Sequence, residues 1–242
     1  MRRTSVKRLV TLTVASLGLV AGVLVGAASP AQAATVPGID VSRYQGAINW
    51  TSVRNAGIQF AFIKATEGIT LRDSRFSVNY PAAHRAGVIR GAYHFARPSS
   101  SSGAAQANFF ASNGGAWSRD NRTLPGALDL EAGCYGKTPS AMVAWIRDFL
   151  TTYFARTRRH AVIYTTTSWW LTCTGNYAGF AVNNPLWIAR WASTPGALPA
   201  GWRYYTFWQY TDRGRVAGIT GNVDRDYFNG TRTRLLALAN NT

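Results

Sequence analysis

Two carboxylates two residues apart, Asp129 and Glu131, end the apolar run Pro125-Gly126-Ala127-Leu128-Asp129-Leu130-Glu131, which an Ala132-Gly133 breaker closes. A short apolar run between turn signals predicts a buried strand. Side chains on a strand alternate faces, so Asp129 and Glu131 share one face while Leu128 and Leu130 take the other. Their Cα atoms then lie about 7 Å apart, at about 3.3 Å of rise per residue. Two acids held that close among apolar neighbours do not ionise independently. One pKa rises relative to the other, which leaves a proton donor beside a standing negative charge. Cleavage of a glycosidic bond requires that division of labour. On an exposed strand the same triplet is only a solvated face. Two features favour chemistry here: acid is scarce, ten Asp plus Glu against 26 Lys plus Arg, and the strand around the pair is apolar.

The elements that must hold the pair follow a repeating pattern. Strands are predicted over 36–41, 60–65, 88–95, the run carrying Asp129 and Glu131, 161–164, 186–191, 205–210 and 223–228. Helices are predicted over 48–56, 77–86, the stretch through Phe109 and Phe110, the segment after Thr138, and 232–239. Thr138-Pro139-Ser140 is an N-cap followed by proline at the first helical position. Met142, Ile146, Phe149, Tyr153 and Phe154 then form a core-facing stripe. Eight short strands separated mostly by helices predict an α/β fold, a closed or nearly closed parallel (β/α) barrel in a single domain. The connections around the sixth to eighth strands are too short for full helices, so the barrel is expected to be irregular, with fewer than eight helices. Chemistry in such barrels sits at the carboxyl ends of the strands. Asp40, Asp129, Glu131 and Asp224 would converge on that rim.

The amino terminus reads as an export signal. Arg2, Arg3, Lys7 and Arg8 precede an apolar stretch over 9–28, and Ala31-Gln32-Ala33 fits a small-residue cleavage site. The expected division is a signal peptide over 1–33, removed after Ala33, and a catalytic domain over 34–242. Arg2-Arg3-Thr4-Ser5-Val6-Lys7 partly resembles a twin-arginine signal but lacks the aromatic, which leaves the general and twin-arginine routes both open. Without the four basic residues of the signal, 22 Lys plus Arg face ten Asp plus Glu, formally +12. The cations are dispersed rather than clustered, with Arg156, Arg158 and Arg159 the densest patch. That pattern points away from nucleic acid and suits attraction to an anionic bacterial wall. A secreted, extracellular monomer is expected. The only two cysteines, Cys134 and Cys173, are expected to pair in an oxidising compartment. The bridge would brace the loop leaving the catalytic strand and contribute about 4 kcal/mol through chain entropy. No Cys/His cluster suggests a metal, and no cofactor is implied.

Tyr93, Tyr164, Trp191, Trp208 and Tyr210 lie near strand ends, where aromatic faces stack on sugars or else simply fill a core. Tyr93, Tyr164 and Trp191 are the best placed for substrate. Lys64 and Glu67 read as a structural ion pair. His94 faces away from Tyr93 and reads as a satisfied structural histidine.

The motifs also carry a family resemblance. Gly38-Ile39-Asp40-Val41-Ser42 with Gln45-Gly46 and Trp50, then Phe62-Ile63-Lys64-Ala65-Thr66-Glu67-Gly68, then Gly91-Ala92-Tyr93-His94-Phe95 occur in order. Leu128-Asp129-Leu130-Glu131, Phe207-Trp208-Gln209-Tyr210 and Val223-Asp224 complete the series. Spread over 37–230, these resemble the family 25 glycoside hydrolases, lysozymes that act as N-acetylmuramidases. The resemblance implies a flattened, irregular barrel that cleaves the β-1,4 bond between N-acetylmuramic acid and N-acetylglucosamine of peptidoglycan. It implies Glu131 as general acid, Asp129 as its partner, Asp40 as a third active-site carboxylate and Asp224 as the late acidic position. Asp226 shares the face of Asp224, so either one is a candidate to reach the site. The alternative is a non-catalytic wall- or chitin-binding barrel whose aromatics bind while its acids are scaffold. A chitinase-type glycosidase is the nearest other enzyme, but Ala127 and Leu128 stand where its longer acidic signature requires acid.

Overall fold

Inward and outward side chains alternate along the strands of a sheet that closes on itself. The computed structural model describes Met1, Arg2, Thr4, Ser5 and residues 35–242. The expected export segment beyond those first positions, and the cleavage after Ala33, lie outside the described residues. Residues 35–242 belong to one compact unit.

The strands are β1 (Thr35–Val41), β2 (Phe60–Glu67), β3 (Leu71–Arg72), β4 (Ile89–Phe95), β5 (Ala127–Leu130), β6 (Val162–Thr165), β7 (Leu186–Ala189), β8 (Phe207–Gly214) and β9 (Val223–Asn229). The α-helices are α1 (Trp50–Asn55), α2 (Phe76–Arg85), α3 (Gly103–Phe110), α4 (Pro139–Thr157), α5 (Thr167–Thr174) and α6 (Arg232–Asn240). Eight strands form the ring in the order β1-β9-β8-β7-β6-β5-β4-β2, closed by pairing of β1 with β2, while β3 only flanks β2. The pairings from β1 through β2, β4, β5, β6 and β7 to β8 are parallel. The expected all-parallel ring is corrected at its last strand, because β9 runs antiparallel to both β8 and β1. Only residues 215–222 separate β8 from β9. That is too short for the crossover of a dozen or more residues that a parallel strand requires, so the chain turns back as a hairpin.

Inside the barrel, Phe60, Phe62, Trp187 and Phe207 are buried together, with Phe62 stacked on Trp187 at 4.5 Å between ring centroids. Gly38 and Gly91 face the Phe60 and Phe62 rings so closely that a Cβ at either position would clash. Leu235 and Ala239 of α6 pack into the same cluster. Outside, Leu128 and Leu130 pack under Met142, Ile146, Phe149 and Tyr153 of α4. Thr138 caps α4 by accepting from the Ala141 amide, with Pro139 following it. Phe154, expected in the core stripe, instead stacks on the half-turn beyond the helix, at 4.4 Å from His160. Helix α5 was not expected. Its start is a Thr166 side chain accepting from Trp169, its end a left-handed Gly175, and its short Thr- and Trp-rich sequence has no clear apolar period.

Candidate active site

Strand β5 delivers the acidic pair to the carboxyl-terminal mouth of the barrel. Asp129 lies on the inward face beside Ala127, is buried, and its Oδ1 has no hydrogen-bond partner among the described residues. Glu131 stands one residue past the end of β5 and opens to solvent, so the expectation that it lies on the strand itself is corrected. The chain leaves the sheet there because Ala132-Gly133 follows, with Gly133 in the left-handed region. Tyr164 of β6 reaches over from the register position beside Asp129 and places its hydroxyl oxygen 3.5 Å from Glu131 Oε2.

On the other side of the mouth, Asp40 Oδ2 accepts from Gln209 Nε2 at 2.8 Å. Gln209 Oε1 in turn accepts from the Tyr164 hydroxyl at 3.1 Å and from Trp191 Nε1 at 3.0 Å. Trp191 lies two residues beyond the end of β7 rather than on it, and 61% of its surface is exposed even though its indole nitrogen is anchored. The ring is therefore held in place with a face open to a ligand. Asp224 sits opposite Asp40 across the antiparallel β1–β9 pair. Because β9 runs backwards, a residue early in that strand arrives at the mouth. Asp226 lies one inward step deeper, opposite Gly38, fully buried, and accepts from Trp187 Nε1 at 2.8 Å. Asp224 is thus the one of the two at the rim, and Asp226 belongs to the floor.

Five of the ten acidic residues, Asp40, Asp129, Glu131, Asp224 and Asp226, gather at this mouth and its floor. Burial pushes Asp129 well above the usual carboxylate range, the Glu131 charge adds to that rise, and Lys64 opposes it. Glu131 is raised as well, chiefly by desolvation, with the Tyr164 hydroxyl and Lys64 pulling the other way. Burial and the neighbouring Asp224 and Asp226 raise Asp40, and Asp224 is pushed up to about 6, first by desolvation. Burial, followed by the surrounding carboxylates, also raises the Tyr93 and Tyr164 hydroxyls well above 10, so both remain protonated donors. A cavity of about 470 Å³ adjoins Glu131, Tyr164, Arg190 and Trp191.

The supporting residues behave structurally. Lys64 Nζ meets Glu67 Oε2 at 2.7 Å and lies over the Phe95 ring. His94 is buried between Thr66 Oγ1 at 2.8 Å and Gln106 Oε1 at 2.9 Å. Gln106 Oε1 can only accept, so Nε2 of His94 carries the proton and Nδ1 accepts from Thr66. Cys134 and Cys173 form a disulfide with a Cα–Cα distance of 5.2 Å, tying the loop after Glu131 to α5. Among the described residues no group of three or more His, Cys, Asp or Glu is arranged to hold a metal ion.

Known proteins share this arrangement of chain. Residues 39–219 match the model of the glycosyl hydrolases family 25. Lysozyme M1 of Streptomyces globisporus is 59% identical over 218 residues, 88% of this chain and 74% of that protein. The chain belongs to glycosyl hydrolase family 25. A bacterial lysozyme from Streptomyces coelicolor superposes with a TM-score of 0.85 at 58% identity, covering 87% of this chain and all of that one. An N,O-diacetylmuramidase of Arthroderma benhamiae is 44% identical over 96% of this chain and 98% of its own. As a family 25 member the protein is a glycoside hydrolase, and the reading as a non-catalytic binding barrel is set aside. Within this family 25 site, sequence reasoning passed over Gln209 and left the depth of Asp226 open. The Phe-Trp-Gln-Tyr motif was visible, but only the alternation of β8, which buries Gln209 beside Phe207, shows that the amide points inward.

Proposed function

We propose that this family 25 enzyme is an exported lysozyme that hydrolyses the β-1,4 bond between N-acetylmuramic acid and N-acetylglucosamine in peptidoglycan. Glu131 acts as the general acid, Asp129 orients and stabilises the 2-acetamido group, and Asp40 holds the sugar or tunes the pair. Tyr93, Tyr164, Trp191 and Asp224 contact the substrate. The observation that carries this reading is the contrast within one triplet: Asp129 is buried with an oxygen unpartnered, while Glu131 is open at the mouth where a leaving oxygen can meet it. A protonated Glu131 delivers its proton to the departing sugar oxygen, help typically worth about 10²–10⁴-fold in rate.

Half of the acids gather at the barrel mouth and its floor, so the surplus of 22 cations over ten acids in residues 34–242 dominates the rest of the surface. That field draws a monomeric, extracellular enzyme to an anionic wall. The name of the Arthroderma relative supports extending the substrate to O-acetylated muramic acid. Mass spectrometry of fragments released from purified peptidoglycan tests the reading. Muramic acid at the new reducing end is expected, and Glu131→Gln should release almost none while still sedimenting with walls. N-acetylglucosamine at that end would identify a glucosaminidase instead.

A further inference from the structure

At the end of the barrel opposite the mouth, one exposed tyrosine stands between two cavities. Residues 183–185 and 204–206 precede the parallel strands β7 and β8, and Asn229 ends the reversed β9, which places all of them at that end. A cavity of about 500 Å³ adjoins Tyr204, Asn229 and Arg234, and a second of about 300 Å³ adjoins Tyr204, Val182, Asn183 and Arg203. The backbone around Tyr204 is pinned on both sides. Trp202 Nε1 donates to the Asn184 carbonyl at 2.8 Å, Asn229 Nδ2 to the Tyr205 carbonyl at 3.0 Å, and the Thr206 amide to the Leu186 carbonyl at 2.8 Å. Tyr204 itself is 67% exposed. A stiff aromatic side chain on a fixed backbone loses little freedom when a ligand covers it.

No Asp or Glu lines either cavity, whereas each carries an arginine, Arg203 or Arg234. Both arginines are exposed, and among the described residues neither takes part in a salt bridge. A partner that complements this surface combines a face able to cover a phenol ring with acidic groups on either side of it. A peptidoglycan strand has both: apolar C–H faces on its sugar rings, and carboxylates on the peptides attached to its muramic acids.

We propose that Tyr204, Arg203 and Arg234 form a non-catalytic binding surface for a second stretch of peptidoglycan, with a sugar face on Tyr204 and stem-peptide carboxylates on the arginines. Because it lies at the far end from the mouth, the surface holds one strand while the cleft works on another, and the two sites together keep the enzyme on the wall. The inference rests on the reading of the protein as a peptidoglycan hydrolase.

The test is sedimentation with peptidoglycan sacculi stripped of their phosphate polymers, in a Glu131→Gln background so that the walls stay intact. Tyr204→Ala should weaken binding about 3- to 10-fold and Tyr204→Trp should restore it, as loss and recovery of one aromatic contact require. Arg203→Ala combined with Arg234→Ala should weaken binding at low salt and flatten its decline as salt is added. All three positions are exposed, where substitution leaves folding nearly unchanged. With Glu131 restored, the same variants should cleave a soluble oligosaccharide, short enough to fill only the cleft, at the parent rate. Unchanged sedimentation of Tyr204→Ala and of the double arginine variant overturns the proposal. So does a loss seen only on walls that keep their phosphate polymers, which would give the surface to those polymers. An equal loss on the soluble oligosaccharide also overturns it, because the effect would then be structural. A parent that fails to cleave that oligosaccharide defeats the reading of the cleft instead, while sedimentation still decides the surface.

Discussion

Gln209 donates to Asp40 at 2.8 Å while its amide oxygen accepts from both Tyr164 and Trp191, so one buried side chain ties a carboxylate at the barrel mouth to an exposed ring. With two donors on Oε1, the amide cannot flip. Gln209→Glu keeps acceptor oxygens for Tyr164 and Trp191 but replaces the donor facing Asp40 with a like charge. Its kcat should fall about 10- to 100-fold, as when a hydrogen bond to a charged group is lost, with little change in KM. Gln209→Met releases Trp191 as well, so KM should rise too and the tryptophan emission should shift. Equal effects of the two variants on both constants would separate Trp191 from this hub.

Lys64 is the cation that acts on both members of the acidic pair, lowering Asp129 and Glu131 against the rise that burial imposes. A general acid works only while protonated, so the alkaline limb of the rate profile follows its pKa. Removing the cation in Lys64→Met lets that pKa climb, and Glu131 stays protonated to higher pH. The alkaline limb of kcat/KM should therefore move upward. Arg97 still pairs with Glu67, which limits the structural cost. A limb that stays in place or moves downward would show that Lys64 has no electrostatic hold on the acid.

His94 links pH to folding. Burial lowers its pKa from 6.5 to about 4, because its two neutral hydrogen-bond partners do not offset the loss of water. The unfolded chain binds the proton first, so this contribution is fully present above about 6.5 and is lost as pH falls toward 4. A shift of that size corresponds to about 3 kcal/mol. Denaturant unfolding of the parent and of His94→Gln should show the parent losing about that much relative to the variant between pH 6.5 and 4. The difference cancels the carboxylates at the barrel mouth, whose raised pKa values act in the opposite sense. A difference independent of pH would mean that His94 is not neutral in the fold.

The barrel was legible because its signals are local. Apolar runs, turn residues and the Thr138-Pro139 helix start mark elements without reference to partners. The disulfide was legible from an even cysteine count in a chain whose amino terminus reads as an export signal, and the shared face of Asp129 and Glu131 from the two-residue period. Strand direction was not legible. Asp224 reaches the mouth because β9 is reversed, a consequence of a short connection rather than of any property of the strand's own residues. Depth was hidden for the same reason, since Asp224 and Asp226 share a face and only the register against Asp40 and Gly38 separates rim from floor. Gln209 was hidden because a lone amide in an aromatic strand carries no charge or period to mark it.

The unpartnered oxygen of Asp129 supports a substrate-assisted route. A buried carboxyl oxygen with no donor is costly in the free protein and is satisfied when a substrate group supplies one. The 2-acetamido group of muramic acid carries an N–H for that purpose and a carbonyl oxygen that can attack the anomeric carbon, a route used by glycosidases acting on N-acetyl sugars. Asp129 would align the acetamide and offset the positive charge that develops on it, while Glu131 protonates the leaving oxygen and then activates water for the return. Both displacements invert the anomeric centre, so the net outcome is retention, with no sugar bound covalently to Asp40 or Asp129. A substrate whose muramic acid lacks the N-acetyl group should bind but be cleaved slowly. An NMR time course on a defined oligosaccharide reads the first-formed anomer directly. An inverted product, or undiminished cleavage of the de-N-acetylated substrate, rules this route out in favour of a water activated by one of the carboxylates.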